Sequence, residues 1–376
     1  MPSPPALRES VLTTPAALER IAPIWKHLWS HTDPPPPMLE LDWVLEWWRL
    51  HGAEGELFIV LVSDADNTPV GLAPLYMRHM QFDAARSLRS VHFLGTGENT
   101  TDEVHGEYNG WLGVPECAQA VSAAVARALL LHRSSWDRLW LQRLWPDRGI
   151  AKDLPEILRP TLLEWSVSRT PTFRSPALRL DEYIARIPSK KMRSNCRRGL
   201  KAAAAEGIDF VRSRSVAEAM TMFDALADLH QRQWAKRGAA GAFAGEVFTA
   251  FHRRMLARYA EREQPWIVGL RQRDRWIAVE YHIRAGDRLY DYIGGLDTTV
   301  PPALSPGLVL HLHAIDAAAA GGAQVYDFLG GDYPHKRRLA LERDEVLTVD
   351  CLQANLRARL WQQMRDLRRA ATGKRP

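Results

Sequence analysis

The segment from Ser305 to Arg338 holds the residues whose types and spacing most clearly suggest chemistry. Pro306 suits the first position of a helix, where the missing N–H does no harm, and Ser305 before it is a typical N-cap. A ligand could approach the backbone amides of the first turn closely because Gly307 has no side chain. These amides belong to Gly307, Leu308 and Val309. Together with the helix dipole they predict an anion site, although any capped helix of an α/β domain has the same pattern.

A charged stretch follows the helix and the apolar strand VYDFL. Asp327 interrupts that strand, and a buried carboxylate must be ion-paired or functional. The next residues are predicted to form a loop that carries acidic, imidazole and basic side chains. They are Asp332, His335, Lys336, Arg337 and Arg338. The pattern predicts either a reaction site beside the sheet or a set of structural ion pairs.

These residues need a sheet and helices to position them, and the second half of the chain has both patterns. Apolar residues at helical spacing predict that the Ser305 helix packs on a sheet, and Gly321 and Gly322 end it. Strands are predicted at 264–272, 275–286 and 288–297, and tight turns join them. Further helices are predicted at 187–207, 221–237 and 245–261.

The first half repeats the same kinds of element. Helices are predicted at 21–29, 41–50 and 117–131, and strands at 55–64, 68–80, 89–95 and 136–144. The proline-rich stretch 155–176 is predicted to cross to a second domain. The sequence therefore predicts a mixed α/β fold with an N-terminal domain at 1–172 and a C-terminal domain at 173–376 that carries the anion site and a basic C-terminal helix.

Composition limits the classes of protein. A length of 376 residues favours two domains, and 46% hydrophobic with 25% charged residues is typical of a globular chain. The opening MPSPPALRES lacks the order of a signal peptide, and no uninterrupted apolar run of roughly 18 residues occurs, so we expect a cytoplasmic protein. Cys117, Cys196 and Cys351 are far apart, which argues against a disulfide framework or a zinc site, and no metal is expected.

Several motifs resemble the CelD/BcsL group of bacterial acetyltransferases, which is named for cellulose biosynthesis and related to the FemAB peptidoglycan aminoacyltransferases. They are FLGTG, DWVLEWWRLHG, PVGLAPLYM, KKMRSNCRRGL, LSPGLVL and DFLGGDYPHKRR, within about residues 21–339. The resemblance implies tandem GNAT-like domains and acyl transfer from acetyl-CoA or another acyl-CoA, without a metal. The sequence departs from the family pattern at His335, where an aromatic residue is usual, and at Leu339, near a usual tryptophan.

The resemblance also implies roles for single residues, since a GNAT-like site lets the acceptor attack the thioester directly. Lys336 matches the FemAB lysine thought to stabilise charge near the reacting carbonyl. Asp297 and Glu280 are candidate bases because burial would raise their pKa, although structural pairing with arginines is an alternative. Tyr292 would reprotonate the leaving thiolate, and Asp332 would position the lysine or bind the acceptor.

Binding roles follow in the same way. The pantetheine arm would lie along the strand that contains Gly294 and Gly295, which would separate it from its neighbour and free a backbone amide. The pyrophosphate would bind at the start of the helix, at Ser305, Gly307, Leu308 and Val309. Arg193 and Arg197 would suit an acidic or phosphorylated acceptor, although a solvated helix face has the same pattern. The other predicted acceptor-binding residues are His230, Trp234, Asp327 and His335.

The favoured function is an acyl-CoA-dependent transfer to an amine or hydroxyl of a sugar, a polysaccharide precursor or an amino-bearing metabolite. A second hypothesis is aminoacyl transfer from charged tRNA, for which the basic segments would supply a nucleic-acid surface. A third is a non-catalytic scaffold with the same fold. The partners are an acyl donor and an acceptor, and nucleic acid enters only in the second hypothesis.

Overall fold

The computed structural model describes residues 7–81, 87–98, 102–146, 149–260 and 266–372. The chain forms two compact units. The first contains residues 1–97, 105–170 and 346–376, and the second contains residues 98–104 and 171–345. The boundaries fall within two long strands, β9 (Leu162–Pro176) and β15 (Glu342–Gln353).

The first unit alternates helices and strands. Its helices are α1 (Pro15–Arg20), α2 (Ala22–Ser30), α3 (Leu41–His51), α4 (Ala118–Leu131), α5 (Ile150–Leu158) and α12 (Leu356–Thr372). Its strands are β1 (Arg8–Leu12), β2 (Gly55–Leu57), β3 (Ile59–Ser63), β4 (Pro69–Ala73), β5 (Leu75–Gln81), β6 (Ser87–Phe93), β7 (Leu112–Gly113) and β8 (Arg138–Leu144).

Two sheets organise these strands. A small antiparallel sheet has the order β1-β3-β4-β7. In the larger sheet, β2, β5 and β6 pair antiparallel, β6 pairs parallel with β8, and β8 pairs antiparallel with β15. The apolar side of α4 packs into the core through Val121, Val125 and Leu129, together with Trp136 before β8. Such burial of large apolar side chains is the main stabilising contribution.

The second unit has one sheet with helices around it. Its helices are α6 (Leu180–Arg186), α7 (Lys190–Ala205), α8 (Val216–Ala235), α9 (Glu246–Ala260), α10 (Pro306–Ala320) and α11 (Pro334–Leu339). Its strands are β10 (Ile208–Arg212), β11 (Trp266–Gln272), β12 (Arg275–Ala285), β13 (Arg288–Leu296) and β14 (Val325–Gly330). β10 to β13 pair antiparallel in order, β13 pairs parallel with β14, and β14 pairs antiparallel with β9.

Helix α10 is the central helix of this unit. Val309, Leu310, Leu312 and Ile315 are fully buried in the core, so both sides of the helix meet protein. By length and composition alone, the stretch Pro302–Ala320 could cross a membrane. A buried core helix passes the same test, so this feature is weak evidence for a membrane span.

The two units share a topology. In the first, the hairpin β5-β6 is followed by α4 and by β8, which pairs parallel with β6. In the second, the hairpin β12-β13 is followed by α10 and by β14, which pairs parallel with β13. The strand after the helix also pairs antiparallel with a further strand in both units. β8 pairs with β15 in the first unit, and β14 pairs with β9 in the second. The mixed α/β prediction and the weak signal of duplication are therefore confirmed at the level of strand order.

The proline-rich stretch 155–176 contains part of α5 and the whole of β9, and the boundary between the two units falls within it. Two predictions about elements were wrong. The stretch 55–64 is two strands that belong to different sheets. The charged residues after β14 do not form a loop, because Pro334 begins the short helix α11.

Candidate functional site

A cavity of the second unit opens where β13 and β14 part. Parallel pairing joins Arg288–Tyr290 to Val325–Asp327, and in the described chain β13 continues beyond this point with β12 as its partner. A cavity of about 1150 Å³ lies there, and Ile293, Gly294 and Leu296 line it. The free edge of a strand presents backbone N–H and C=O groups, so this edge can bind an extended ligand.

Irregularities in both strands produce the opening. Tyr281 pairs with Ile293 and His282 pairs with Asp291, so Tyr292 is an extra residue that bulges β13. A bulge bends its strand and increases the local twist. In β14, Leu329 has a left-handed φ of 60°, and its N–H donates to the carboxylate of Asp327 at 2.8 Å. Asp327 is fully buried, shapes the end of the strand and does not line the cavity.

The N-terminus of α10 forms one end of the cavity. Ser305, Pro306, Gly307 and Leu308 line it, whereas Val309 is buried toward α7 and does not. The prediction that Ser305 caps the helix was wrong. Its φ is 44°, and its hydroxyl donates to the Pro302 carbonyl at 3.2 Å because a 3₁₀ turn (Pro302–Leu304) leads directly into the helix.

Three arginines add positive charge to the walls. They are Arg198 from α7, Arg237 after α8 and Arg338 from α11. Arg198 donates to Asn195 Oδ1 at 2.6 Å. The predicted pair Arg193 and Arg197 does not line the cavity, and Arg193 instead donates to the carbonyl oxygens of Ile187 and Pro188. The face of α7 that lines it is spaced by three residues: Met192, Asn195 and Arg198.

Lys336 lies on α11 with its side chain largely buried in the cavity wall. Its Nζ donates to the Gly330 carbonyl oxygen at 2.6 Å and lies 5.3 Å from the centre of the Tyr333 ring. His335 lines the same wall and stacks on His311 with 5.5 Å between ring centres. Asp332, by contrast, is ion-paired with exposed Arg337 and does not line the cavity.

Two carboxylates and a histidine form the floor. Glu280 on β12 is 3% exposed, and it lies beside Asp291 on β13 and His311 on α10. Glu280 Oε1 is 3.3 Å from His311 Nδ1, and Asp291 Oδ2 is 3.8 Å from the same atom. Burial, and then the charge of Asp291, raise the pKa of Glu280 well above its ordinary value. Neither Asp291 nor His311 was predicted, since the three residues are scattered along the sequence.

A second buried histidine supports this floor from behind. His282 Nε2 is 2.8 Å from the Tyr326 hydroxyl, which is also 3.4 Å from His311 Nδ1. Burial lowers the pKa of His282 to about 4. Burial, and then the charge of Lys336, lower the pKa of His311 to about 3. Both imidazoles are therefore neutral at pH 7.

The second predicted base lies outside this site. Asp297 ends β13, is ion-paired with Arg275 and accepts from the Thr299 N–H at 2.8 Å and the Thr299 hydroxyl at 2.7 Å. We expected burial to raise its pKa. Burial does act in that direction, but the hydrogen bonds from Thr299 and Arg275 outweigh it and lower the pKa of Asp297. The carboxylate is thus ionised and closes a turn.

Helix α8 supplies the wall opposite the lysine. His230 and Trp234 line the cavity, and His230 Nδ1 donates to the Gly294 carbonyl oxygen at 2.9 Å. Gly295 does not line it, because a Cβ there would lie 2.8 Å from backbone atoms of α8. Tyr292 does line it, but its hydroxyl donates to the Val104 carbonyl oxygen and lies 3.1 Å from His252 Nε2.

Comparisons with known proteins agree with this topology. Residues 190–337 match the family model described as "Acetyltransferase (GNAT) domain". A crystal structure of FemX is similar over 95% of this chain and 99% of its own, at 12% identity and a TM-score of 0.62. A conserved protein of unknown function from Bacteroides thetaiotaomicron is similar over 92% of this chain and 100% of its own, at 10% identity and a TM-score of 0.52.

A tandem GNAT protein from the clavulanic acid biosynthesis pathway is similar over 93% of this chain and 99% of its own, at 11% identity and a TM-score of 0.46. No curated protein matches the chain. The family match over residues 190–337 and the similarity to the FemX structure confirm the predicted fold class, a mixed α/β fold of GNAT-like and FemX-like architecture. The GNAT match covers the cavity-lining stretch from α7 to α11.

Proposed function

We propose that this protein transfers an acyl group from an acyl-CoA, most simply acetyl-CoA, to an amine or hydroxyl acceptor. The observation that carries the proposal is the cavity at the divergence of β13 and β14, because it combines an anion-binding end with a buried acid and a buried lysine. Its GNAT domain supports acyl transfer as the reaction class. We further propose that it works in the cytoplasm on a saccharide precursor or an amino-bearing metabolite, as the CelD/BcsL resemblance implies.

The walls fit a phosphate-bearing donor. The first turn of α10 presents backbone N–H groups, and Arg198, Arg237 and Arg338 lie on the same cavity. The free edge of β13 at Ile293 and Gly294 would hold an extended amide-containing arm. The volume of about 1150 Å³ is at the upper end of ordinary ligand sites, as a large donor together with an acceptor requires.

The reaction needs charge stabilisation and a proton acceptor. The donor supplies a thioester, whose carbonyl carbon the acceptor attacks. Lys336 would stabilise the negative charge that develops on the carbonyl oxygen, since a buried ammonium acts strongly in a site shielded from water. Glu280 would take the proton of the attacking group, and a raised pKa favours a carboxylate in that role. The departing thiolate then takes up a proton.

One observation favours a second candidate, aminoacyl transfer from charged tRNA. Helix α7 carries exposed basic residues beside Arg198, and such a face would bind a phosphate backbone. They are Lys190, Lys191, Arg197 and Lys201. Strong weakening of binding by salt would accompany that function. Comparing acetyl-CoA with charged tRNA as the donor, with the same panel of amines and amino sugars, separates the two.

Donor binding gives the first test. Coenzyme A and acetyl-CoA at 100 times their Kd should stabilise the folded protein by about 2.7 kcal/mol, which thermal unfolding would report. Calorimetry should give one site in the second unit. Absence of any shift at millimolar ligand would contradict the proposal and leave the scaffold hypothesis.

Lys336→Met gives the second test. Loss of the ammonium should lower kcat by about 10²–10³-fold, while the Kd of coenzyme A changes little. Thiol release from acetyl-CoA in the presence of primary amines measures the rate. Arg337→Met is the matched control, because Arg337 is adjacent but exposed and paired with Asp332. Equal rates for Lys336→Met and the wild-type protein would end the assignment.

A further inference from the structure

We propose that Glu280, Asp291 and His311 bind a divalent transition-metal ion of the Zn²⁺ class at the floor of the cavity. The three side chains come from β12, β13 and α10, and one ligand atom of each lies within 4.8 Å of the others. The sequence gives no sign of this site, because 30 residues lie between the outermost two ligands and no cysteine takes part. The site does not depend on which donor the cavity takes.

The distances suit a tetrahedral ion. Zn²⁺ holds imidazole nitrogen and carboxylate oxygen at about 2.1 Å, which places neighbouring ligand atoms about 3.4 Å apart. His311 Nδ1 lies 3.3 Å from Glu280 Oε1 and 3.8 Å from Asp291 Oδ2. Small side-chain rotations would therefore complete three ligands. The fourth position faces the cavity, which all three residues line.

A buried atom that lacks a hydrogen bond points to the same site. Glu280 is 3% exposed, yet its Oε2 has no hydrogen-bond partner in the part of the chain that the structure describes. The closest donor atom given for it is His282 Nε2 at 3.7 Å, and that nitrogen is 2.8 Å from the Tyr326 hydroxyl. A polar atom buried in this way costs free energy, and an ion that binds both carboxylate oxygens of Glu280 would satisfy it.

The ligand set selects the kind of ion. One imidazole with two carboxylates suits Zn²⁺, Co²⁺ and similar ions, whereas Mg²⁺ and Ca²⁺ prefer oxygen ligands alone. The Tyr326 hydroxyl lies 3.4 Å from Nδ1, the nitrogen that would bind the ion, and its shorter contact is with His282 Nε2 at 2.8 Å.

Metal binding would compete with acyl transfer. A carboxylate that coordinates an ion cannot accept the proton of an attacking amine, so the loaded protein would lack the base that we assign to Glu280. The charge of Lys336 also opposes a cation on this floor. The two functions thus make opposite predictions for one variant: removal of the lysine charge should tighten metal binding several-fold while it slows transfer.

The experiment uses the full chain without a polyhistidine tag. Co²⁺ is titrated into the metal-free protein, and its visible absorption reports both affinity and geometry. We expect one equivalent with a tetrahedral spectrum and no thiolate charge-transfer band. Glu280→Gln and His311→Gln should weaken Co²⁺ binding by at least about 100-fold. His313→Gln, on the same helix but stacked on Phe210 outside the cavity, should bind like wild type.

Controls keep the proposal open to failure. Thermal unfolding of each metal-free variant checks the fold, and Asp291→Asn replaces Glu280→Gln if that variant does not fold. No Co²⁺ binding by wild type at millimolar metal overturns the proposal, as does binding that both ligand variants retain. Reversible inhibition of transfer by Zn²⁺ is a separate readout, so loss of the proposed function would not hide the metal site.

Discussion

The two units use the same strand order but treat the end of their central parallel pair differently. In the first unit, the backbone of Asn109 bonds to β8, with its N–H donating to the Arg143 carbonyl at 2.9 Å and its carbonyl accepting from the Trp145 N–H at 3.0 Å. In the second unit, the corresponding end of β14 opens onto the cavity. One topology therefore supports either a closed wall or an open cavity, depending on the segment that follows the first strand of the pair.

The two units also differ in the partners of their buried basic side chains. Arg138 of the first unit makes two bonds of 2.7 Å to Asp350 and lies over Trp140 and Trp361. Lys336 of the second unit donates to a backbone carbonyl and lines a cavity. The cavity that Trp111 and Trp145 line in the first unit has a volume of about 220 Å³. The buried arginine of the first unit is thus paired with a carboxylate, whereas the buried lysine of the second unit bonds to a backbone carbonyl at a cavity wall.

Arg138→Met should give the largest loss of stability. The change leaves Asp350 without its partner in a partly buried setting, which should lower the free energy of unfolding by about 3 kcal/mol. Binding of coenzyme A should not change. Denaturant unfolding measures the loss, with exposed Arg159→Met as the control. A weaker Kd for coenzyme A in Arg138→Met would show that the first unit takes part in donor binding and would break the comparison.

Two adjacent glycines separate stability from function within the second unit. Gly295→Ala should lower the free energy of unfolding by about 2 kcal/mol, because the new Cβ meets the backbone of α8 at 2.8 Å. Gly294→Ala should cost little stability, since its Cβ meets Glu280 Cγ at 3.2 Å and that side chain can move into the cavity. Turnover should fall in Gly294→Ala. Equal losses of stability in the two variants would contradict this account.

Local pattern was enough to predict most elements. Leu41–Leu50 and Cys117–Leu131 were predicted as helices and correspond to α3 and α4, because their apolar periodicity matches their burial. Predictions were wrong where the local residue pattern does not show how strands pair in the folded protein. The predicted strand 68–80 becomes β4 and β5 in two sheets, and Pro74 stands at the break. Strand β15, of 12 residues, was not predicted, because its first residues, from Glu342 to Glu345, are charged.

The site was predictable only where it is continuous in sequence. The helix entry at Gly307 and the lysine at 336 both line the cavity, and both come from motifs within one segment. Asp291 and His311 were missed because they meet Glu280 through sheet register and helix packing, which single-sequence patterns do not encode. Charge alone does not say which side of α7 faces a cavity, and Arg198 is the basic residue of this helix that lines it.

Acid should destabilise the first unit through Asp137. Burial would raise the pKa of Asp137, but hydrogen bonds from the Arg89 side chain and N–H and from Asn355 lower it below its ordinary 3.8. A depressed pKa in the folded state means that the pair stabilises fully above pH 3.8, and that this contribution is lost as the pH falls through the folded pKa. The corresponding shift for Glu280, in the second unit, has the opposite direction.

Asp137→Asn should therefore be less stable than wild type by about 1.5 kcal/mol at pH 7, and the difference should shrink below about pH 4. Denaturant midpoints across the acid range measure it. Asp64→Asn, an exposed turn residue of the same unit, is the control. A difference between Asp137→Asn and wild type that stays constant down to pH 2 would exclude the Arg89 pair as its source.

The smallest effect concerns two helix entries. Thr14 caps α1 in the first unit, where its hydroxyl accepts from the Ala17 N–H at 3.2 Å, so Thr14→Ala should cost about 1 kcal/mol. Ser305 precedes α10 in a left-handed conformation and bonds to Pro302 instead, so Ser305→Ala should cost less than about 0.5 kcal/mol. An uncapped entry leaves its amides for a ligand. Ser305→Ala should accordingly retain the wild-type Kd for coenzyme A. If Ser305→Ala lowers the free energy of unfolding by about 1 kcal/mol or more, the serine caps the helix after all.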